Sequence, residues 1–241
     1  MSSFTVAPVN APTPGKLVKM MCDECLSEDM KEFPVLDTCF NRTNASLIVG
    51  GMGSGKTTLV LQMLTTFYKK IFTFIYIVAP TSSLAIINKS PLRALPDDQF
   101  YESLSPGNAA DILERVKENS KHGRRSFVLL DDVQRDLKDP DTLRSLTTLV
   151  ANMRHLRVSI VILAQSYLKV DKTIRNLVSN VLIFSVSKSQ LAALHEEHLS
   201  MHPKLWERIT KDSFTKPRTF LIYNTASMRL FRNYDEEIRY E

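Results

Sequence analysis

The feature that most limits what this chain can fold into is a crowding of glycine. It has seven glycines in 241 residues, and Gly50, Gly51, Gly53 and Gly55 fall within six positions. Glycine alone accepts left-handed backbone and close approach at little steric cost, so this cluster marks a loop with special conformational demands. An apolar run, Ala45–Val49, precedes it, and residues 56–68 follow with helical spacing. The segment Gly50-Gly51-Met52-Gly53-Ser54-Gly55-Lys56-Thr57 fits G-x-x-x-x-G-K-[ST] at every fixed position.

Physically, such a loop is a phosphate cradle. Successive backbone N–H groups form a nest for phosphate oxygens, and the helix that follows adds its unpaired donors and the positive end of its dipole. Lys56 supplies a point charge for the β- and γ-phosphates, while the hydroxyl of Thr57, with Thr58 beside it, opens the helix where Mg²⁺ would be held. The expected ligand is a nucleoside triphosphate with Mg²⁺.

Beyond the loop, apolar strands alternate with helical stretches. Strands are expected at 72–79, 126–130, 158–164 and 181–186, and helices at 109–121 (capped by Asn108), 141–155 and 190–198. Continuous apolar strands are buried on both faces, so the fold class is α/β, a mostly parallel sheet flanked by helices. Residues 219–223 and 228–231 read as a C-terminal hairpin. Residues 1–16, with Pro8, Pro12 and Pro14, read as a flexible arm, leaving 17–241 as one domain.

Two strand ends carry polar groups where open α/β sheets bind ligands. Leu129-Leu130-Asp131-Asp132 offers Asp131 to the Mg²⁺ shell and Asp132 to polarise an attacking water. The strand at 158–164 ends at Gln165, suited to sense the γ-phosphate. Charge developing on a transferring phosphoryl group calls for a further cation, often from a neighbouring subunit. Arg154 is the favoured candidate, with Arg157 and Arg175 as rivals and a plain surface charge as the competing reading for each. Arg124 and Arg125 read as a solvated face.

Other signals are weaker. Cys22, Cys25 and Cys39 lack a fourth ligand nearby for zinc, and three cysteines make no disulfide framework. His195, His198 and His202 suit solvated or capping roles, and Trp206 a packing anchor. No apolar run is long enough to span a membrane, and residues 1–15 lack a cationic start and an apolar core, so no secretory signal is expected. A net charge of +5 suits a polyanionic partner but falls short of a dense basic cluster.

Taken together, GGMGSGKTT, the LLDD strand end and RHLRVSIVILAQS resemble the FtsK–HerA superfamily of DNA-pumping ATPases, over about residues 45–190. The nearest likeness is to the compact genome-packaging ATPases of poxviruses, giant DNA viruses and virophages, through Arg154-His155, Ser159, Gln165 and Ile174-Arg175-Asn176. That resemblance implies a P-loop fold of the additional-strand, RecA-like class. It also implies an ATPase that moves double-stranded DNA into a preformed capsid, working as a hexameric or pentameric ring that docks on the capsid vertex or other virion proteins. The expected setting is the cytoplasmic viral factory or the virion. By the same resemblance Lys56 and Thr57 serve phosphate and Mg²⁺, Asp131 the metal, Asp132 acid-base chemistry, Gln165 sensing, and Arg154 or Arg157 acts in trans. Asp132 stands where many superfamily members carry Glu, shortening the carboxylate's reach. Competing readings are another nucleic-acid motor such as a helicase, a nucleotide or small-molecule kinase, and an ATP-gated assembly protein.

Overall fold

In the computed structural model, which describes residues 4–8, 39–40, 43–66, 68, 71–80 and 95–240, the apolar runs pair into one ten-stranded sheet. Its strands are β1 (Phe4–Pro8), β2 (Ala45–Val49), β3 (Phe74–Val78), β4 (Phe100–Tyr101), β5 (Ser126–Asp131), β6 (Val158–Ala164), β7 (Asn180–Phe184), β8 (Phe220–Asn224), β9 (Arg229–Arg232) and β10 (Glu236–Tyr240). The order across the sheet is β1-β10-β9-β8-β7-β2-β6-β5-β3-β4. From β7 to β4 all neighbours are parallel; from β7 back to β1 they are antiparallel. The sheet is therefore mixed, with the phosphate-loop strand β2 inside its parallel half.

Pleating sorts the side chains into two cores, because alternate residues face opposite sides of a strand. Leu47, Val49, Leu130 and Ile162 face one side, against α2 (Pro106–Lys121), α3 (Pro140–Ala151), α4 (Lys172–Leu177), α5 (Lys188–His198) and α6 (Pro203–Ser213). Ile48, Leu129, Leu163 and Leu182 face the other, where Leu59, Val60 and Met63 of α1 (Lys56–Thr65) cover them. With both faces covered, the continuous apolar pattern of β2, β5, β6 and β7 follows directly.

Several helix starts are set by side-chain caps. The Asn108 N–H donates to Ser105 Oγ, so α2 begins three residues before the expected helix at 109, with Pro106 in the first turn where its missing N–H costs nothing. Asp139 caps α3 through the N–H groups of Asp141 and Thr142, and α3 ends at Ala151 rather than 155. His202 caps α6 by accepting the Lys204 N–H on Nδ1, and Trp206 is buried, donating to the Leu191 carbonyl.

The C-terminal region holds more than a hairpin. β10 adds to β8 and β9, and β1 adds to β10, with Val6 opposite Ile238. The start of the arm is thus an edge strand, not free chain; Phe4-Thr5-Val6-Ala7 carries strand-forming residues, and Pro8, which has no N–H to give a ladder, is the last residue of this edge strand. Residues 9–16 of the arm lie outside the described residues, as do Cys22 and Cys25. Cys39 is a buried thiol, 1% exposed, which burial pushes well above the usual thiol range.

Candidate nucleotide-binding site

The phosphate loop leaves β2 at its carboxyl end and is tied to the next strand at once, where the Gly50 N–H donates to the Ala164 carbonyl at 3.1 Å. Gly53 (φ 72°) and Gly55 (φ 106°) take left-handed backbone, which a side chain resists, and Gly55 caps α1. At Gly50 the constraint is space, since a Cβ there would stand 2.5 Å from Ser54 Oγ and 3.0 Å from Phe184 Cβ. Met52 projects into solvent with 91% exposure, so the group it can offer a phosphate is its backbone N–H. Thr57 and Thr58 lie in the first turn of α1.

Lys56 folds back over the loop, its Nζ donating to the carbonyls of Gly50 (2.6 Å) and Gly51 (3.0 Å). Burial holds its pKa below the ordinary lysine value, while the charges of Asp131 and Asp132 act in the opposite sense. A partly desolvated ammonium on a cradle of glycines, with two carboxylates close enough to be felt, suits a phosphate chain and a divalent cation. Ser54 Oγ is buried without a hydrogen-bond partner among the described residues, a further polar group that a ligand in the cradle would satisfy.

Register delivers the remaining groups. Val49 pairs with Ala164 across β2 and β6, and Asp131 with Leu163 across β5 and β6, so three strand ends meet at one height. β6 lies between the phosphate-loop strand and the acidic strand, the inserted strand of the additional-strand class. Asp131 is half-buried at the end of β5. Asp132 turns the chain at φ 58° and its N–H donates to the Leu163 carbonyl at 3.4 Å. Gln165, exposed at the end of β6, reaches it, with Nε2 3.5 Å from Asp132 Oδ2. Beside them opens a polar cavity of about 670 Å³ bordered by Asp131, Asp132, Gln134, Lys138, Gln165 and Lys169. Lys138 and Lys169 are cations that the sequence pattern did not single out, because neither lies in a motif.

The arginines fall elsewhere. Arg154 and Arg157 precede β6 and so stand at the sheet's opposite edge; seven strand residues at about 3.3 Å each put them roughly 20 Å from the loop of the same chain. Both are exposed. Arg154 borders a pocket with Asn44, Ser179 and Asn224, while Arg157 (φ 49°) donates from Nη1 to the Gly123 carbonyl at 3.0 Å. Arg175 is no finger candidate. Only 7% exposed, it pairs with Glu197 at 2.9 Å and lies over the Tyr167 ring at 4.7 Å, so it cannot reach out to a neighbour. Arg124 and Arg125 are engaged locally, with the Phe74 ring and with Thr43 Oγ1.

Among solved structures the chain is similar to B204, the DNA-packaging ATPase from Sulfolobus turreted icosahedral virus, at 15% identity and a TM-score of 0.60, over 78% of this chain and 96% of that one. The genome-packaging NTPase B204 from Sulfolobus turreted icosahedral virus 2, in complex with ATP-gammaS, gives 16% identity and 0.57, over 80% and 97%. The cytoplasmic domain of the type VII secretion ATPase EccC from Thermomonospora curvata gives 14% and 0.55, over 80% of this chain and 25% of that one. These likenesses show the fold. No curated protein matches the sequence. The family model described as Poxvirus A32 protein matches residues 36–204, well over half of the chain, from ahead of the phosphate-loop strand to the start of α6. The chain belongs to the poxvirus A32 protein family.

Proposed function

We propose that this protein is the ATPase of a viral packaging motor, hydrolysing ATP to drive double-stranded DNA into a preformed capsid. The observation that carries the reading is the meeting of the phosphate loop, Asp131-Asp132 and Gln165 at one sheet edge, with β6 inserted between β2 and β5. Its membership of the poxvirus A32 family and the likeness of its fold to packaging ATPases support it.

In this reading the N–H groups from Gly50 to Gly55, with those of Lys56, Thr57 and Thr58 at the start of α1, hold the β- and γ-phosphates. Lys56 exchanges its contacts with the loop carbonyls for phosphate oxygens, recovering in a low-dielectric site the charge interaction that burial now denies it. The Thr57 hydroxyl and Asp131 carboxylate would hold Mg²⁺, which when bound neutralises charge on the β- and γ-phosphates. Asp132 accepts a proton from the attacking water, and Gln165, already within reach of Asp132, orients that water and contacts the γ-phosphate.

Because Arg154 and Arg157 stand at the far edge, either would serve the site of an adjacent copy, and the working form we propose is the ring that the family resemblance implies. DNA contact in such a motor is made chiefly to backbone phosphates and weakens with salt. The capsid vertex is the expected docking partner. Among the described residues no helix is long and apolar enough to cross a membrane.

The test is ATP hydrolysis at fixed salt with no nucleic acid, with long duplex DNA and with single strands, Lys56→Ala serving as the blank. Stimulation by long duplex above the other two is expected. Equal rates in all three remove the DNA motor and favour an ATP-gated assembly protein, and phosphate appearing on a small acceptor in place of water favours a kinase.

A further inference from the structure

Two residues beyond Gln165 the chain enters a cage that the chemistry above does not use. The Tyr167 side chain is fully buried, and three contacts from two helices fix it. Its N–H donates to Gln190 Oε1 at 2.7 Å, its hydroxyl donates to Glu197 Oε2 at 2.7 Å, and the Arg175 guanidinium covers its ring at 4.7 Å. Arg175 closes the cage through its 2.9 Å pair with Glu197 Oε1. Gln190 and Glu197 are seven residues apart on α5, hence on one helix face. One face of one helix therefore grips the backbone and the phenol of the same residue.

A buried ion pair is a poor source of net stability, since desolvation offsets most of its attraction, and two apolar residues of like volume would serve a core as well. What the pair does supply is direction. With its phenol and its backbone N–H both engaged, Tyr167 has one place to stand, and the short link through Ser166 passes that restraint to Gln165. Gln165 is itself exposed, and its one described side-chain hydrogen bond is the 3.5 Å reach to Asp132. Its aim thus depends on the backbone that carries it. On one side that backbone is held by the Ala164 carbonyl's bond to Gly50, and on the other by Tyr167.

We infer that Gln190 and Tyr167 are positioning residues for hydrolysis, acting through Gln165 and not on the nucleotide. The inference rests on the hydrolytic reading of the site given above. Small misplacements of a catalytic group cost rate far more than affinity, so the effect belongs in kcat.

The experiment is a kinetic cycle on the full chain. Gln190→Leu removes the acceptor for the Tyr167 N–H, Gln190→Glu keeps an acceptor oxygen there, and Tyr167→Phe removes the phenol's bond to Glu197. We expect Gln190→Leu and Tyr167→Phe to lower kcat about tenfold with KM for ATP within about twofold. Gln190→Glu should recover most of the rate. In a Gln165→Ala background Gln190→Leu should cost less than about twofold more, because two residues acting through one step are not additive. A rate for Gln190→Leu equal to wild type, or a full further loss in the Gln165→Ala background, overturns the positioning role while leaving the hydrolytic site intact. A fall in thermal stability large enough to explain the lost rate, not relieved by Gln190→Glu, reduces the cage to a structural one and overturns it too. Absence of turnover by the wild-type chain sinks the hydrolytic reading, and this inference with it.

Discussion

Gln165 Nε2 lies 3.5 Å from Asp132 Oδ2, so the ends of two strands that are 33 residues apart in sequence share one polar contact at the mouth of the phosphate loop. The contact is long for a hydrogen bond. It places both groups beside the loop without locking either, which in the proposed mechanism leaves each able to take up a water or a phosphate oxygen.

Asp132 sits at φ 58°, a conformation that Asn accepts as readily as Asp. Asp132→Asn should therefore fold and bind ATP with affinity within about threefold, while kcat falls by ~100-fold through loss of the proton acceptor. Nucleotide binding by fluorescence and turnover by phosphate release check the two halves separately. Hydrolysis at the wild-type rate would remove Asp132 from the mechanism.

Gly50→Ala brings a Cβ to 2.5 Å from Ser54 Oγ and 3.0 Å from Phe184 Cβ. The serine can rotate, but Phe184 belongs to β7 and gives little, so the loop has to shift. A stability loss of about 1–3 kcal/mol is expected for such overpacking, together with weaker ATP binding. At Gly51 no heavy atom lies within 4 Å of an added Cβ, so Gly51→Ala should leave the melting temperature almost unchanged. Equal melting temperatures for Gly50→Ala and wild type would show that the loop has slack which its packing does not suggest.

Arg154→Ala and Lys56→Ala should each lose DNA-stimulated turnover. Mixed subunits of the two should regain a measurable part of it, because an intact loop can then meet an intact arginine from another copy. Arg157→Ala should also cost some stability, through the lost bond to the Gly123 carbonyl. Failure of the mixture to exceed either parent would exclude Arg154 as a shared residue.

His198 predicts an acid-sensitive fold. Burial holds its pKa below the ordinary value, with Arg175 adding to the shift and Glu197 opposing it, and its Nε2 is buried without a hydrogen-bond partner among the described residues. Above the unfolded value of about 6.5 the ring is neutral in both states and contributes no pH dependence. As pH falls through 6.5 toward the lower folded value, the unfolded chain takes up the proton first and stability drops; below the folded value the loss levels off. His198→Phe keeps ring packing against Tyr167 and Tyr223. Its melting temperature should fall less than that of wild type between pH 7.5 and 5.5, and parallel curves would exonerate His198.

Much of this was legible in the residues. The glycine loop, the LLDD strand end and the run Val158–Ala164 combine strong local propensity with motif chemistry, and the structure places their ends together. Features set by distant partners were not legible. Phe4–Pro8 becomes a strand because β10 offers an edge, and proline content alone read it as free arm. Ser105 outcompetes Asn108 as a cap because Pro106 fits the first helical position. Arg175 looked available beside a strand end, yet Glu197, 22 residues on, neutralises it. The cage around Tyr167 joins positions 167, 175, 190 and 197, a spacing that no periodicity announces.

The length of β6 has a consequence for symmetry. Gln165 and the phosphate loop stand at its head, Arg154 and Arg157 at its foot, on opposite edges of the sheet. A contact that brings one copy's foot to another's head joins two different patches, and more than one closed symmetry allows it. A twofold dimer completes both sites if its copies lie antiparallel, each foot against the other's head, and a cyclic ring completes every site head to tail. An open head-to-tail chain leaves one loop at its end without a partner, so an arginine shared between copies in the proposed way demands a closed assembly, in which no copy is last.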